Sequence, residues 1–333
     1  MGYEVDFFPV TTGGAAVAVR WGAPGNYRLL VYDGGTADSG EQLIAHVETH
    51  CMSSHVDCVV SSHPGRKHAE GLCLVLERLS VGELWMHRPW THVEDAAGLR
   101  KSMPAAHRLE QLALARKIPI YEPFQGAVIG PFTVLSPRRQ WYLDALLPAF
   151  GTHGQRMAGS ALADMARWAR LGAAAMGSRW DFEPLPRAAA TSAENDASAV
   201  LYGEFEGRGV LLTGNAGIQS LSDACAFAER LGIGLQQSLR FMQVPGHGKP
   251  DHLSSRVLDR IAGAPQREDP RLHAKSAFIS TGRDTSPLTY KIVADALRRR
   301  GVISFATQGA QLHHGHEMPD RGWLPAGAVG AGA

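Results

Sequence analysis

Several things are scarce in this chain of 333 residues, and each scarcity narrows its class. No apolar run approaches the roughly 20 residues that a bilayer-spanning helix needs, so nothing reads as a membrane span. The N-terminus opens in strand-like sequence rather than in a basic and then apolar signal, which makes the cytoplasm the expected location. Charge of one sign is missing too. With 33 Lys and Arg against 32 Asp and Glu the net charge is +1, which gives no global electrostatic case for nucleic acid or an anionic membrane. Only four cysteines occur, Cys51, Cys58, Cys73 and Cys225, without the paired short spacing of zinc ribbons or redox motifs. They read as reduced thiols in or beside the core.

What is present suits a layered globular protein. The hydrophobic content of 44% allows a large core, and the length alone would permit two domains. Val56-Asp57-Cys58-Val59-Val60-Ser61 has strand character, and Gly71-Leu72-Cys73-Leu74-Val75-Leu76 has the apolar density of a buried helix. Helices are expected over residues 41–51 and 105–116, and strands over 81–86, 118–121 and 132–137. This alternation is what an α/β domain requires. Beyond Pro137 the pattern turns helical, at 141–150 and 160–176, before a loop around Pro184-Leu185-Pro186. Residues 138–191 therefore read as a helical insertion, either a cap or partner surface near the site or a pair of helices covering a sheet edge. The Ala/Gly tail, 324–333, reads as disordered.

Between the strand and the buried helix lies Ser62-His63-Pro64-Gly65-Arg66-Lys67-His68, a His-bearing turn where α/β enzymes place metal ligands. It resembles the metallo-β-lactamase superfamily pattern of His, any residue, His, any residue, Asp, His. Within that superfamily it resembles the branch that includes the competence protein ComEC, whose run is Thr-His-Pro-His-Ala-Asp-His. His63 and His68 match, Gly65 stands in place of the second His, and Lys67 in place of the Asp. The resemblance continues in order along most of the chain. Leu29-Leu30-Val31-Tyr32-Asp33-Gly34-Gly35 is similar to a strand ending in Asp-Gly-Gly, and Gly13-Gly14 stands where that branch has Gly-Asp. Thr213-Gly214-Asn215-Ala216 resembles Thr-Gly-Asp-Ala, whose Asp bridges two metals. Val244-Pro245-Gly246-His247-Gly248 resembles Val-Pro-His-His-Gly, and Ser286-Pro287 stands where the branch has His-Pro.

The resemblance implies an αββα sandwich of two mixed β-sheets flanked by helices, one domain over residues 1–323 carrying the insertion. It also implies a degenerate metal site. A dinuclear hydrolase centre needs neutral imidazoles and carboxylates around two cations about 3.5–4 Å apart. Here Lys67 puts a hydrated positive charge where a negative ligand belongs, and Asn215 offers only an amide. The residual ligands His63, His68 and His247 are numerically enough for one zinc with an open fourth position. In the family pattern, however, His68 and His247 serve one metal and His63 the other. No cofactor is expected; zinc or manganese would be the metal if one bound. Arg66, Lys67 and Lys249 should form a cationic pocket beside these histidines, with Asp33, Gly65, Asn215 and Ser286 around it, suited to a phosphate-bearing or carboxylate ligand.

Two functions follow. The first is a catalytically dead or impaired binding or regulatory module, with a protein partner on the 138–191 insertion. The alternative is an active one-metal hydrolase, a phosphodiesterase or nuclease, and nucleic acid enters only through that reading. Of the remaining histidines, His313, His314 and His316 are expected at the surface, at the exit of a strand over 309–312. His87, His92 and His153 are expected to be structural or rim residues.

Overall fold

The computed structural model describes residues 1–11, 13–94, 96–150, 183–266, 275–321 and 329. Its strands are β1 (Gly2–Phe7), β2 (Ala16–Ala23), β3 (Asn26–Gly34), β4 (His55–Ser61), β5 (Ser80–Met86), β6 (Ile120–Tyr121), β7 (Val128–Ile129), β8 (Phe132–Ser136), β9 (Val200–Phe205), β10 (Arg208–Leu212), β11 (Leu239–Gln243), β12 (Lys275–Ile279), β13 (Val302–Ala306) and β14 (Leu312–His316). They form two seven-stranded sheets, ordered β14-β1-β2-β3-β4-β5-β6 and β13-β12-β11-β10-β9-β8-β7. Both are mixed. Pairing is antiparallel from β14 to β3 and parallel from β3 to β6; in the second sheet it is parallel from β10 to β13 and antiparallel from β7 to β10.

Strand periodicity sorts the core into three layers. On β3 and β4, Leu30, Tyr32, Cys58 and Val60 face the other sheet, where they meet Val210, Leu212, Phe241 and Phe278. The alternate residues Leu29, Val31 and Val59 face helices α1 (Ala37–Thr49) and α2 (Arg66–Arg78). On the second sheet Leu211, Met242, Ala277 and Ile279 pack beneath the helices Ile218–Arg230, Ser255–Ala262 and Leu288–Arg298. The result is an αββα sandwich of two mixed sheets flanked by helices, the architecture expected from the sequence. Helix α2 buries Ala69, Leu72, Cys73, Val75 and Leu76, one face at helical spacing. Its glycine permits close approach, since a Cβ on Gly71 would lie 1.9 Å from the Gly34 carbonyl oxygen. That contact seats the second turn of α2 against the end of β3. No helix among the described residues is long and apolar enough to cross a membrane.

Several sequence expectations change in detail. The first helix begins at Ala37 rather than at residue 41, with Thr36 at its N-cap. The strand expected over 118–121 shortens to Ile120–Tyr121, after Pro119, which has no N–H for a ladder. The helix expected over 141–150 starts at Arg139, passes through a π turn at Tyr142–Leu146 and tightens to a 3₁₀ turn at Leu147–Ala149, which contains Pro148. The helix expected over 160–176 and the tail from 324 lie outside the described residues, except Val329. Cys58, Cys73 and Cys225 are buried free thiols and Cys51 is half-buried.

The C-terminal histidines need a correction. They lie within β14, not past the end of a strand, and this strand pairs with β1 across Leu312 to His316. His314 turns into the inter-sheet layer against Tyr3 and Phe241. On the outer face, His313 Nδ1 lies 3.2 Å from Asp6, part of a buried ionic network. Arg321 forks onto Asp6 at 2.6 and 2.8 Å and reaches Glu4 at 2.8 Å; Arg20 pairs with Glu4 at 2.5 Å, and His46 approaches Asp6 at 3.3 Å. Burial raises the Asp6 carboxyl, but bonds from His313, His46 and Arg321 outweigh it and hold this group well below the usual carboxylate range.

Removing one partner of such a network strands a buried charge. Arg321→Met is expected to destabilise the fold by about 3–5 kcal/mol in urea unfolding, whereas Arg28→Met, at the exposed pair with Asp57, should change it by less than about 1 kcal/mol. Equal small effects would mean that the network contributes little.

Candidate functional site

The residues singled out in the sequence gather where strand C-termini from both sheets meet. Asp33 ends β3, Ser62 and His63 follow β4, His68 lies in the first turn of α2, Asn215 follows β10, and His247 and Lys249 follow β11; Ser280, which the sequence did not single out, follows β12 beside them. Asp33 is fully buried. Its Oδ1 accepts the Ser62 amide at 2.8 Å, and its Oδ2 accepts the Ser62 hydroxyl at 2.7 Å and His68 Nδ1 at 2.7 Å. Because the Ser62 hydroxyl donates to Asp33, its oxygen is left to accept from His63 Nδ1 at 2.9 Å. His247 Nδ1 donates to the Ser280 carbonyl at 3.1 Å. Three separate partners thus put the proton of all three rings on Nδ1 and leave Nε2 as a lone pair.

The His63 and His68 lone pairs converge on one point, while His247 stands outside the group whose potential ligand atoms lie within 4.8 Å of one another. The His63 and His68 ring centroids are 4.1 Å apart, and His68 and His247 are 6.0 Å apart. His63 therefore stands beside His68, and it is His247 that lies farther off. Asn215 Nδ2 lies between the first two rings, 3.3 Å from His63 Nε2 and 3.3 Å from His68 Nε2. All three imidazoles are held neutral. Burial, helped by the neighbouring Lys67 charge, pushes His68 down to about 3. Burial, then His68 and Lys249, pushes His247 to about 3. Burial and His68 hold His63 well below its ordinary value. Burial pushes the Asp33 carboxyl up to about 7, against the opposing effect of His63 and the Ser62 bonds.

A cleft of about 570 Å³ opens over this cluster. Arg66, Lys67 and Lys249 line it together with His68, His247 and Asn215, and no carboxylate lines it among the described residues. Arg66 also sits 4.0 Å from Glu70, a loose helical pair. Ser286 is exposed, and the cleft is lined instead by Thr285 and Thr289. This places the polar contribution of the Gly282 to Pro287 turn one residue from where the His-Pro resemblance put it. Sequence reading missed His252, whose Nδ1 donates to the Asn215 carbonyl at 3.0 Å, and Asn195, which lines the cleft. His252 carried a faint signal, a histidine shortly after the Gly-His-Gly turn. His87 is buried against Tyr142, with ring centroids 4.6 Å apart, and His92 meets Glu122 at 2.8 Å, so both are structural here. His153 lies outside the described residues.

Whether these residues fit a metal depends on which edges of the rings are free. Asp33, His63 and His68 bring potential ligand atoms within 4.8 Å of one another, a group that could hold an ion. Asp33, however, faces the protonated Nδ1 edge of His68, the position of a carboxylate that orients a histidine rather than of a ligand beside it. The Nε2 edges face an amide donor. As arranged, the site accommodates a cation only if Asn215 withdraws.

No protein-family model and no curated protein matches the chain. Among solved structures it is similar to the metallo-beta-lactamase fold protein YhfI from Bacillus subtilis, at 10% identity over 94% of this chain and 100% of that one, with a TM-score of 0.43. It is also similar to a diphosphatase of the PhnP family, at 11% identity over 95% and 98% with a TM-score of 0.42. A variant of CmlA beta-hydroxylase matches at 12% identity over 94% of this chain and 53% of that one, with a TM-score of 0.46. Likeness this distant says nothing about chemistry.

The buried histidines make stability depend on pH. Each is neutral when folded and takes up a proton near 6.5 when unfolded, so each loses stability as pH falls through 6.5 towards about 3. Asp33 acts oppositely, losing stability as pH rises from the unfolded carboxylate range through about 7. His63, His68, His87 and His247 outnumber it. The melting temperature is therefore expected to drop between pH 7.5 and 5, with net proton uptake on unfolding; a midpoint that is flat or rises on acidification would contradict neutral buried rings.

Proposed function

We propose that the chain is a metallo-β-lactamase-fold protein of ComEC-like sequence that binds a phosphate-bearing or carboxylate small molecule in the cleft, and that it is impaired or inactive as a metal hydrolase. The charge of the lining carries this reading: Arg66, Lys67 and Lys249 with no carboxylate among the described residues. Unit charges about 4 Å apart interact by about 4 kcal/mol at an effective dielectric near 20. Three cations lining one cleft favour an anion and oppose a divalent cation. The N-terminus of α2 adds its own partial positive charge beside Lys67. Thr285 and Thr289 supply hydroxyl donors to the same cleft. The resemblance to a branch associated with nucleic-acid processing supports a phosphate-bearing ligand in particular.

A one-metal hydrolase acting on phosphodiesters with zinc or manganese is the second reading. It draws on the grouping of Asp33, His63 and His68 and requires Asn215 to leave its place between the rings.

Calorimetric titration with inorganic phosphate, a nucleoside monophosphate and a short single-stranded oligonucleotide tests the proposal. Binding of a phosphate-bearing ligand is expected, weakened by salt and reduced about tenfold by Lys67→Ala or Lys249→Ala, the scale of one charged hydrogen bond. No heat with any of the three would defeat the anion reading, and chelator-sensitive phosphodiester hydrolysis would favour the second one.

A further inference from the structure

From the contacts of Asn215 we infer that this chain carries its own substitute for a metal ion: the side-chain amide of Asn215, donating one hydrogen to His63 Nε2 and one to His68 Nε2, fills the place where a cation would be held. The inference concerns the histidines alone and stands whether or not an anion binds.

The geometry is specific to a primary amide. Its nitrogen carries two hydrogens, and two acceptors lie at 3.3 Å from it. Both acceptors are fixed as such from behind, His68 by Asp33 and His63 by Ser62, so only the NH₂ edge of Asn215 can face them. The backbone of Asn215 is clamped at both ends. Its N–H donates to Ser198 Oγ at 3.1 Å, and its carbonyl accepts from His252 at 3.0 Å. The residue is only 9% exposed, at the inner end of the cleft.

Two glycines complete the arrangement. A Cβ on Gly65 would lie 2.7 Å from His63 Nε2, so the His63 ring rests in space that a side chain at 65 would fill. A Cβ on Gly246 would lie 2.2 Å from His252 Cδ2, so the His252 ring does the same there. Gly65 and Gly246 both stand where the resembling pattern has histidine. In each case a neighbouring histidine has moved over the bare backbone, one to reach the amide of Asn215 and the other its carbonyl. Glycine, histidine and asparagine therefore form one interlocked set that needs no ion to hold its shape.

Metal-free wild-type protein and Asn215→Asp are titrated with cobalt(II), reading visible absorption and melting temperature. Asn215→Asp removes both donors and supplies an anionic oxygen in their place. The wild type is expected to show no cobalt absorption and the same melting temperature with cobalt as with chelator. The variant should take up the ion with visible bands and bind it at least about tenfold more tightly, the scale of a change around metal-binding histidines. Cobalt binding by the wild type within about tenfold of the variant would overturn the inference, as would a variant of wild-type circular dichroism that gains no binding. Should the variant fail to fold, long-range ¹H–¹⁵N spectra of the wild-type rings decide. Nδ1–H tautomers at His63 and His68 that zinc leaves unmoved support the amide, and Nε2–H tautomers or zinc-shifted signals overturn it.

Discussion

Asp33, at the end of β3, is completely buried and accepts hydrogen bonds from the Ser62 amide, the Ser62 hydroxyl and His68 Nδ1. Left without partners, a carboxylate at that depth would cost several kcal/mol. The donors that relieve this cost come from the turn after β4 and the first turn of α2, so one side chain joins the two parallel strands to the helix that crosses over them. Its backbone sits in the left-handed region, φ 60°, which aspartate tolerates better than most residues. The close contact of Gly71 with Gly34 brings α2 near enough for His68 to reach it. Without this tie there is no reason for His63 and His68 to face one another.

Proton order spreads outward from that carboxylate. Asp33 sets His68 directly and sets His63 through the Ser62 hydroxyl, while the Ser280 carbonyl independently sets His247 the same way. Burial keeps the rings uncharged at neutral pH. The charge of the cleft is therefore left to Arg66, Lys67 and Lys249. This explains how a chain of net charge +1 can present a strongly cationic concavity: the overall sum is balanced, but the acidic group nearest the site lies behind the histidines and is spent on hydrogen bonds.

The legible part of the fold is the part governed by period. Alternating apolar residues in β3 and β4 and the helical face of α2 are local signals, and each sits where its pattern requires. Asp33 was legible as the end of a strand, and His63, His68, His247 and Asn215 as members of one site, through order along the chain. What could not be read was direction. Nothing near residue 215 says that its amide turns towards rings 147 and 152 positions earlier. Nor does the sequence say which nitrogen of His68 meets Asp33. The 313–316 histidines were misplaced because a His-His-Gly-His run gives no apolar signal, although the strand buries His314 against Tyr3 and Phe241. Ser286 failed for a different reason, since a turn between β12 and its helix shifts by one residue without disturbing either element.

Gly65, Lys67, Asn215 and Gly246 also make physical sense only as a group. Exchanging a ligand histidine for glycine in a buried metal centre would leave a void and lone pairs with no donor, and both are costly. Here the voids at Gly65 and Gly246 are filled by the rings of His63 and His252, and the lone pairs of His63 and His68 are met by the two hydrogens of Asn215. Lys67 then brings its charge next to neutral rings rather than next to an ion. Each of these residues removes a penalty that another would leave. For the same reason neither Gly65 nor Gly246 accommodates histidine at this backbone geometry: the side chain would meet the ring of His63 or of His252, and Asn215 would lose an acceptor for its amide in the first case and a donor to its carbonyl in the second.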